Sequence, residues 1–342
     1  MLADAVEYIN FPPSCQSNPT YYLTIQDLIP KAIAHHFNRV FSDPYDAYRG
    51  AENIFKNLPR VFQMPSFDKA KGFLKGKPAL LVASGPSLTE SLPILQKIQD
   101  QVLMIACPSA LSLLIKNNIK PHLWLNIERD ENVGDLFRDL SEKPKHIFIA
   151  PPLVHPKCFE TNGGYNTFLL SQGLFAQWLP FASQPIDFGH SAANAAFRIL
   201  EILECNEIYL VGQDLSYTKN QESHVSGAWE ETKRFSENLQ KENRQTLQVE
   251  GNDGQPILTN LYWYTYLKNF TEQLIPFFKG KIFNVIPQNF GAKISGVTRI
   301  DPTDLLEKFK NQKEDFVEVL KENLLPPTDT EQRDIHELFS QK

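Results

Sequence analysis

The sequence predicts an α/β fold, a doubly wound and mostly parallel sheet with helices on both faces, flanked by helical N- and C-terminal extensions. Three observations predict it. Unbroken apolar runs of strand length, such as Pro78-Ala79-Leu80-Leu81-Val82-Ala83 and Val102-Leu103-Met104-Ile105-Ala106, recur through the middle of the chain. A strand with one wet face would alternate, whereas an unbroken run marks a strand covered on both faces, as parallel sheets are. Helical patterns separate the runs, which is the rhythm of parallel strands joined by crossovers. The chain's 342 residues fit one large α/β domain with appendages, or two domains.

Residues 1–75 read as a helical N-terminal segment, with helices over 25–41 and 47–58 and loops punctuated by Pro12, Pro13, Pro19 and Pro65. Residues 76–300 read as the α/β domain. Strands fall at 78–83, 102–106, 122–127, 146–150, 166–170 and 207–211, with a last one at 281–286. Helices follow the first strand and cover 111–117, 133–140 and 191–204. The polar stretch 218–249, with a charged helical pattern over 230–247, reads as a lid or an insertion. Residues 301–342 read as a helical C-terminal extension, an amphipathic helix over 303–323 with Leu305, Leu306, Phe309, Phe316 and Val319 as its stripe, then a tail beyond Pro326-Pro327.

Composition excludes several classes. An apolar fraction of 42% with 22% charged residues is that of a globular chain, not a disordered or collagenous one. A net charge of -6 argues against nucleic acid as a partner over the whole surface. No apolar run approaches the roughly 20 residues of a membrane helix, so no membrane partner is expected. The acidic start, Met1-Leu2-Ala3-Asp4-Ala5-Val6-Glu7, lacks the shape of a signal peptide. Cys15, Cys107, Cys158 and Cys205 are far apart with no C-x-x-C, which fits buried thiols in a reducing cytoplasm rather than disulfides or zinc.

Chemistry-bearing residues gather at strand ends. Ser84-Gly85-Pro86-Ser87 follows the first strand, where α/β sheets bind ligands. A Gly there admits a phosphate to the backbone, and the next helix start offers N–H groups. One Gly and no Lys separate this loop from the two common phosphate fingerprints, so the residues leave open a nucleotide loop or an ordinary turn. Ser87 and Glu90 have capping-box spacing, while Pro93 favours a helix that starts at Ser91. Gly212-Gln213-Asp214-Leu215 follows the sixth strand, its Asp placed for a hydroxyl, a metal or a His. His224, ten residues past Asp214, reads as a general base or as a surface-loop residue. Residues 250–254 form a tight turn, and Lys293 in the loop 289–296 faces an anionic ligand or solvent. His122, Glu128 and Asp130 border the third strand; two acids without a third partner make a poor metal site, and none is predicted. No G-x-S-x-G elbow supports a hydrolase triad.

Taken in order, Gly85-Pro86-Ser87-Leu88, Asn118-Ile119-Lys120-Pro121-His122, Ile208–Leu215, His224, Glu250-Gly251-Asn252-Asp253-Gly254 and Gly291-Ala292-Lys293-Ile294-Ser295-Gly296 resemble the central domain of the motility-associated factor (Maf) flagellin glycosyltransferases. That domain belongs to a broader set with the archaeal 6-hydroxymethylpterin diphosphokinases, and the resemblance spans about residues 75–300. It implies a sialyltransferase-like, Rossmann-like core. It also implies transfer of a nonulosonate, pseudaminic or legionaminic acid, from a CMP donor to Ser or Thr of flagellin, without a required metal. By position, Ser84, Gly85, Pro86 and Ser87 would cradle the nucleotide, with Asn126, Ser191, Asn194, Gly212 and Gln213 also contacting it; His224 and Asp214 would be catalytic. Ala83, His122, Glu128 and Phe290 depart from the family's residues, and the chain is shorter than typical Maf proteins. Mg2+-dependent diphosphokinase chemistry on a pterin-like substrate, and non-catalytic binding of a nucleotide or protein, are the alternatives.

Overall fold

Along the apolar runs, successive side chains enter opposite layers. Leu80, Val82, Met104 and Ala106 join one core, while Ala79, Leu81, Leu103 and Ile105 join the other. This is the period-two pleat of strands buried on both faces. The computed structural model describes residues 12–26, 28–29, 44–172, 185–230, 246–287, 290–309 and 313–328.

The strands are β1 (Pro78–Val82), β2 (Leu103–Ala106), β3 (Leu123–Leu125), β4 (Ile147–Ala150), β5 (Tyr165–Phe168), β6 (Glu207–Val211), β7 (Thr246–Glu250), β8 (Pro256–Asn260), β9 (Lys281–Val285) and β10 (Thr298–Ile300). Eight of them form one sheet in the order β10-β9-β6-β1-β2-β3-β4-β5, and every pairing in it is parallel. The chain winds outward from β1 to β5, then returns to lay β6 on the other side of β1. The strand order therefore reverses at β1 and β6, and a crevice opens there beyond their carboxyl ends. β7 and β8 form a separate antiparallel hairpin.

Helices α1 (Pro12–Ser17) and α2 (Pro44–Val61) precede the sheet. Buried Asn57 ties α2 to the loop after β4 by donating from Nδ2 to the Pro152 and Val154 carbonyls at 2.8 Å each. Helices α3 (Leu88–Ile98), α4 (Pro108–Lys116), α5 (Asn132–Asp139) and α6 (Pro156–Thr161) cover the core that holds Leu80. Helices α7 (Ala192–Ile202) and α8 (Leu261–Asn269) cover the opposite one.

Three expectations are corrected. The run at 281–286 is a strand but not the last, because β10 follows it at the sheet edge. The polar stretch 218–249 ends in a strand, β7, although 231–245 lie outside the described residues. The C-terminal helix over 303–323 is two short helices, α9 (Asp304–Lys308) and α10 (Phe316–Lys321). Leu305 and Phe309 pack into one core, and Phe316 and Leu320 into the other. One straight helix cannot reach both sides of a sheet. Most of the helix expected at 25–41, and the tail from 329, lie outside the described residues.

Two histidines are locked in the core. The His146 ring lies on Trp124 with centroids 3.6 Å apart, and His122 Nδ1 accepts from the Met104 N–H at 3.0 Å. Burial pushes both down to about 4 from an ordinary value of 6.5. As pH falls, the unfolded chain takes up these protons first. Stability present above pH 6.5 is therefore lost as pH falls to about 4. For fully buried His146 the loss is on the order of 3 kcal/mol. His146→Gln is expected to flatten the plot of unfolding free energy against pH across that window, whatever its offset at neutral pH. An unchanged slope contradicts this.

Candidate active site

At the reversal of strand order lies a cavity of about 200 Å3. It is smaller than the roughly 300–1,000 Å3 of pockets that enclose a whole drug-sized ligand. Its walls come from the ends of β1 (Ala83, Ser84, Gly85), β2 (Cys107, Pro108, Ser109), β3 (Glu128) and β6 (Gly212, Gln213, Asp214, Leu215). Val133 of α5, Ser191, Ala192 and Ala193 at the start of α7, the loop residues Ser223, His224 and Trp229, and Asn260, Tyr262, Trp263 and Tyr266 complete it.

The two strand-end loops are bolted together. Asp214, 2% exposed, accepts the Ser87 N–H on Oδ2 at 2.7 Å and the Ser87 hydroxyl on Oδ1. Gly85 N–H donates to the Gly212 carbonyl at 2.8 Å. A Cβ at Gly85 would lie 2.5 Å from that carbonyl oxygen and 2.7 Å from the Asp214 carboxyl. The Gly thus allows the close approach of one loop to the other. Burial pushes the Asp214 carboxyl up to about 6, against the two hydrogen bonds from Ser87, which favour its charged form. The next residue, Leu215, has φ of +51°, and neighbouring elements hold it there. Thr259 Oγ1 donates to the Leu215 carbonyl at 2.7 Å, and Ala292 N–H donates to the Asp214 carbonyl at 2.8 Å.

This latch corrects further expectations. Ser87 lies at the N-cap of α3 but makes no capping bond, because its hydroxyl is held by Asp214. The helix runs from Leu88 through Ser91 and Pro93. Ser87 and Pro86 do not line the cavity, and the Gly85 and Ser87 N–H groups are engaged within the protein. Asn126 does not line it either; its Nδ2 donates to the Glu128 carbonyl at 3.0 Å and its Oδ1 accepts the Glu128 N–H at 2.9 Å. Asn194 is fully buried behind the first turn of α7. Lys293 pairs with Glu250 at 2.7 Å away from the cavity. Of the expected contacts, Ser84, Gly85, Ser191, Gly212, Gln213, Asp214 and His224 do come together around it.

Helix starts supply the positive potential. The first turns of α4, α7 and α8 reach the cavity through Ser109, Ala192 and Tyr262, and no Lys or Arg is among the described residues that line it. Helix N-termini carry partial positive charge and N–H groups that favour anions. Ser191 caps α7 by accepting the Asn194 N–H at 3.1 Å, which orients Ala192 and Ala193 against the wall. His224 is half-buried, with Nδ1 3.1 Å from Ser223 Oγ and its ring edge-on to Trp263. Val225 N–H donates to the Ser84 carbonyl at 3.0 Å, so the histidine loop is stitched to the end of β1. Burial pushes the Cys107 thiol up to about 12, which leaves it protonated and unsuited to nucleophilic attack near neutral pH. Sequence reasoning missed Tyr262, Trp263 and Tyr266. Their signal was present in the aromatic run behind Asn260, which caps α8 by accepting the Trp263 N–H at 2.9 Å.

Residues 52–220 match the family described as 6-hydroxymethylpterin diphosphokinase MptE-like. The core of this chain is thus similar to the Maf/MptE-like family. A solved structure of a Maf glycosyltransferase from Magnetospirillum magneticum AMB-1 shares the fold, with a TM-score of 0.60 at 15% identity. The likeness covers 85% of this chain and 44% of that one, so the chain spans less than half the length of the Maf protein. No curated protein matches the chain in sequence. In this MptE-like core, two residues that depart from the family pattern separate. His122 precedes β3 at its amino end, whereas Glu128 follows β3 and faces the cavity.

Proposed function

We propose that this protein is an inverting glycosyltransferase. It moves a nonulosonate, pseudaminic or legionaminic acid, from its CMP donor to serine or threonine hydroxyls of flagellin in the cytoplasm. The observation that carries the reading is His224 on the wall of a cavity that three helix starts enter and that no Lys or Arg lines among the described residues. In this reaction the acceptor hydroxyl gives its proton to the His224 imidazole as its oxygen attacks the anomeric carbon. The bond from that carbon to the phosphate oxygen breaks, and CMP departs with the electron pair. The first turns of α4 and α7 receive the phosphate.

The MptE-like match favours a second reading, metal-assisted phosphoryl transfer. The acids present fit a divalent ion poorly. Both Asp214 oxygens accept from Ser87, His122 lies at the far end of β3, and no group of three ligating side chains occurs among the described residues. Titration with CMP, CTP and ATP, each with and without Mg2+, separates the readings. CMP binding that EDTA leaves unchanged is the expected result. Binding of ATP alone, and only with Mg2+, would support phosphoryl transfer instead.

A further inference from the structure

Glu128 has no part in the transfer chemistry described so far. Glu128 lines the cavity, yet its side chain has no hydrogen bond or ion pair among the described residues. The cations nearest in charge are committed elsewhere. Arg129 Nη1 pairs with Asp46 at 2.6 Å, and Arg49 Nη2 pairs with Asp130 at 3.1 Å. The placement of Glu128 is built. Asn126, 1% exposed, grips both backbone polar groups of Glu128 with its amide, at 3.0 and 2.9 Å. The position inferred from family resemblance to touch the nucleotide thus acts through the residue two places on.

An ionised carboxylate only accepts hydrogen bonds, and it repels a phosphate. The phosphate therefore belongs against the helix starts, and what meets Glu128 is a donor. A divalent ion is disfavoured as that partner, because Asp214 is committed to Ser87. Glu128 is exposed at the edge of the cavity, so its carboxylate is open to a donor on a ligand that enters there. Flat rings stand around the same space: Trp229, Tyr262, Trp263 and Tyr266 line it. Aromatic faces of this kind stack planar bases.

We propose that Glu128 selects an amino-bearing nucleobase, its carboxylate accepting a hydrogen bond from the exocyclic amino group. The inference rests on the nucleotide reading above and deepens it. Cytosine presents an amino group at its fourth position; uracil presents a carbonyl oxygen there, which a carboxylate repels. Asn126 is a positioning residue in this arrangement.

The test is nucleotide titration, read by the fluorescence of Trp229 and Trp263, with CMP and UMP against the wild-type chain and Glu128→Gln. Wild type is expected to favour CMP by about tenfold or more, the scale of a charge-assisted hydrogen bond. A glutamine amide keeps an acceptor and adds a donor for the uracil oxygen. The variant should therefore bring the two affinities within about threefold. Thermal unfolding of both proteins confirms that the variant is folded. An unchanged preference for CMP in Glu128→Gln overturns the assignment and leaves the nucleotide reading standing. Failure of the wild type to bind either nucleotide overturns both.

Discussion

His224→Ala is expected to lower sugar transfer by about 10²- to 10⁴-fold while CMP affinity stays within about threefold. A serine or threonine hydroxyl attacks poorly unless its proton is removed as the new bond forms. His224 carries a proton acceptor at the cavity wall, and its loop is fixed to the end of β1 through Val225 and Ser84. The other candidates are engaged or unsuited. Asp214 is held by Ser87, and the Cys107 thiol is pushed up to about 12. The variant loses a base and no part of the helix starts that hold phosphate, so binding and turnover should separate. Initial rates at saturating donor, with titration of CMP in parallel, check this. A fully active variant would remove His224 from the mechanism.

Gly85→Ala carries the largest expected effect on stability, a loss of about 3 kcal/mol, at the upper end of what overpacking a closed site costs. The added methyl would lie 2.5 Å from the Gly212 carbonyl oxygen, and backbone on that side has little room to retreat. Gly212 is itself held close, since a Cβ there would lie 2.4 Å from the Ala83 carbonyl oxygen. Pushing the loops apart also stretches both hydrogen bonds from Ser87 to Asp214. Chemical denaturation measures the loss, and a change below about 0.5 kcal/mol would show that the loops yield freely. The same contact alters the meaning of lost activity in any Gly85 variant. It would report disruption of the loop pair as well as of the ligand site.

Much of this architecture was legible because burial on both faces writes itself into the sequence as unbroken apolar runs. Glu207–Val211 emerges as a strand with the bounds expected, and β1, β2 and β4 differ by a residue at an end. The hairpin was not legible. β7, Thr246-Leu247-Gln248-Val249-Glu250, does alternate polar and apolar, but the charged helical pattern over 230–247 overlaps its start and masks it. Only its turn, 250–254, was visible, through its two glycines. β10 was missed as a short edge strand with Thr298 and Arg299 exposed.

The site was legible in its strand ends and illegible in its wiring. Gly85, Gly212, Asp214 and His224 could be placed beyond the sheet, because loops after parallel strands gather there. The bond between Ser87 and Asp214 spans 127 residues, and no local spacing announces it. A capping box was the nearest local partner for Ser87, and a buried carboxylate from another strand displaced it. Glu128 could be placed at the end of β3, but its isolation from Arg129 and Arg49 depends on where α2 docks, through Asp46 and through the loop carrying Asp130.

The reaction proposed for this cavity is a metal-independent, CMP-dependent glycosyl transfer. Its most direct test is release of CMP from a CMP-activated nonulosonate by the purified chain in EDTA, with flagellin as acceptor and product mass followed in parallel. The expected result is CMP release matched by a mass gain of one sugar on flagellin, and loss of both in His224→Ala. Absence of transfer in EDTA, with activity appearing only when Mg2+ and ATP are supplied, would contradict it.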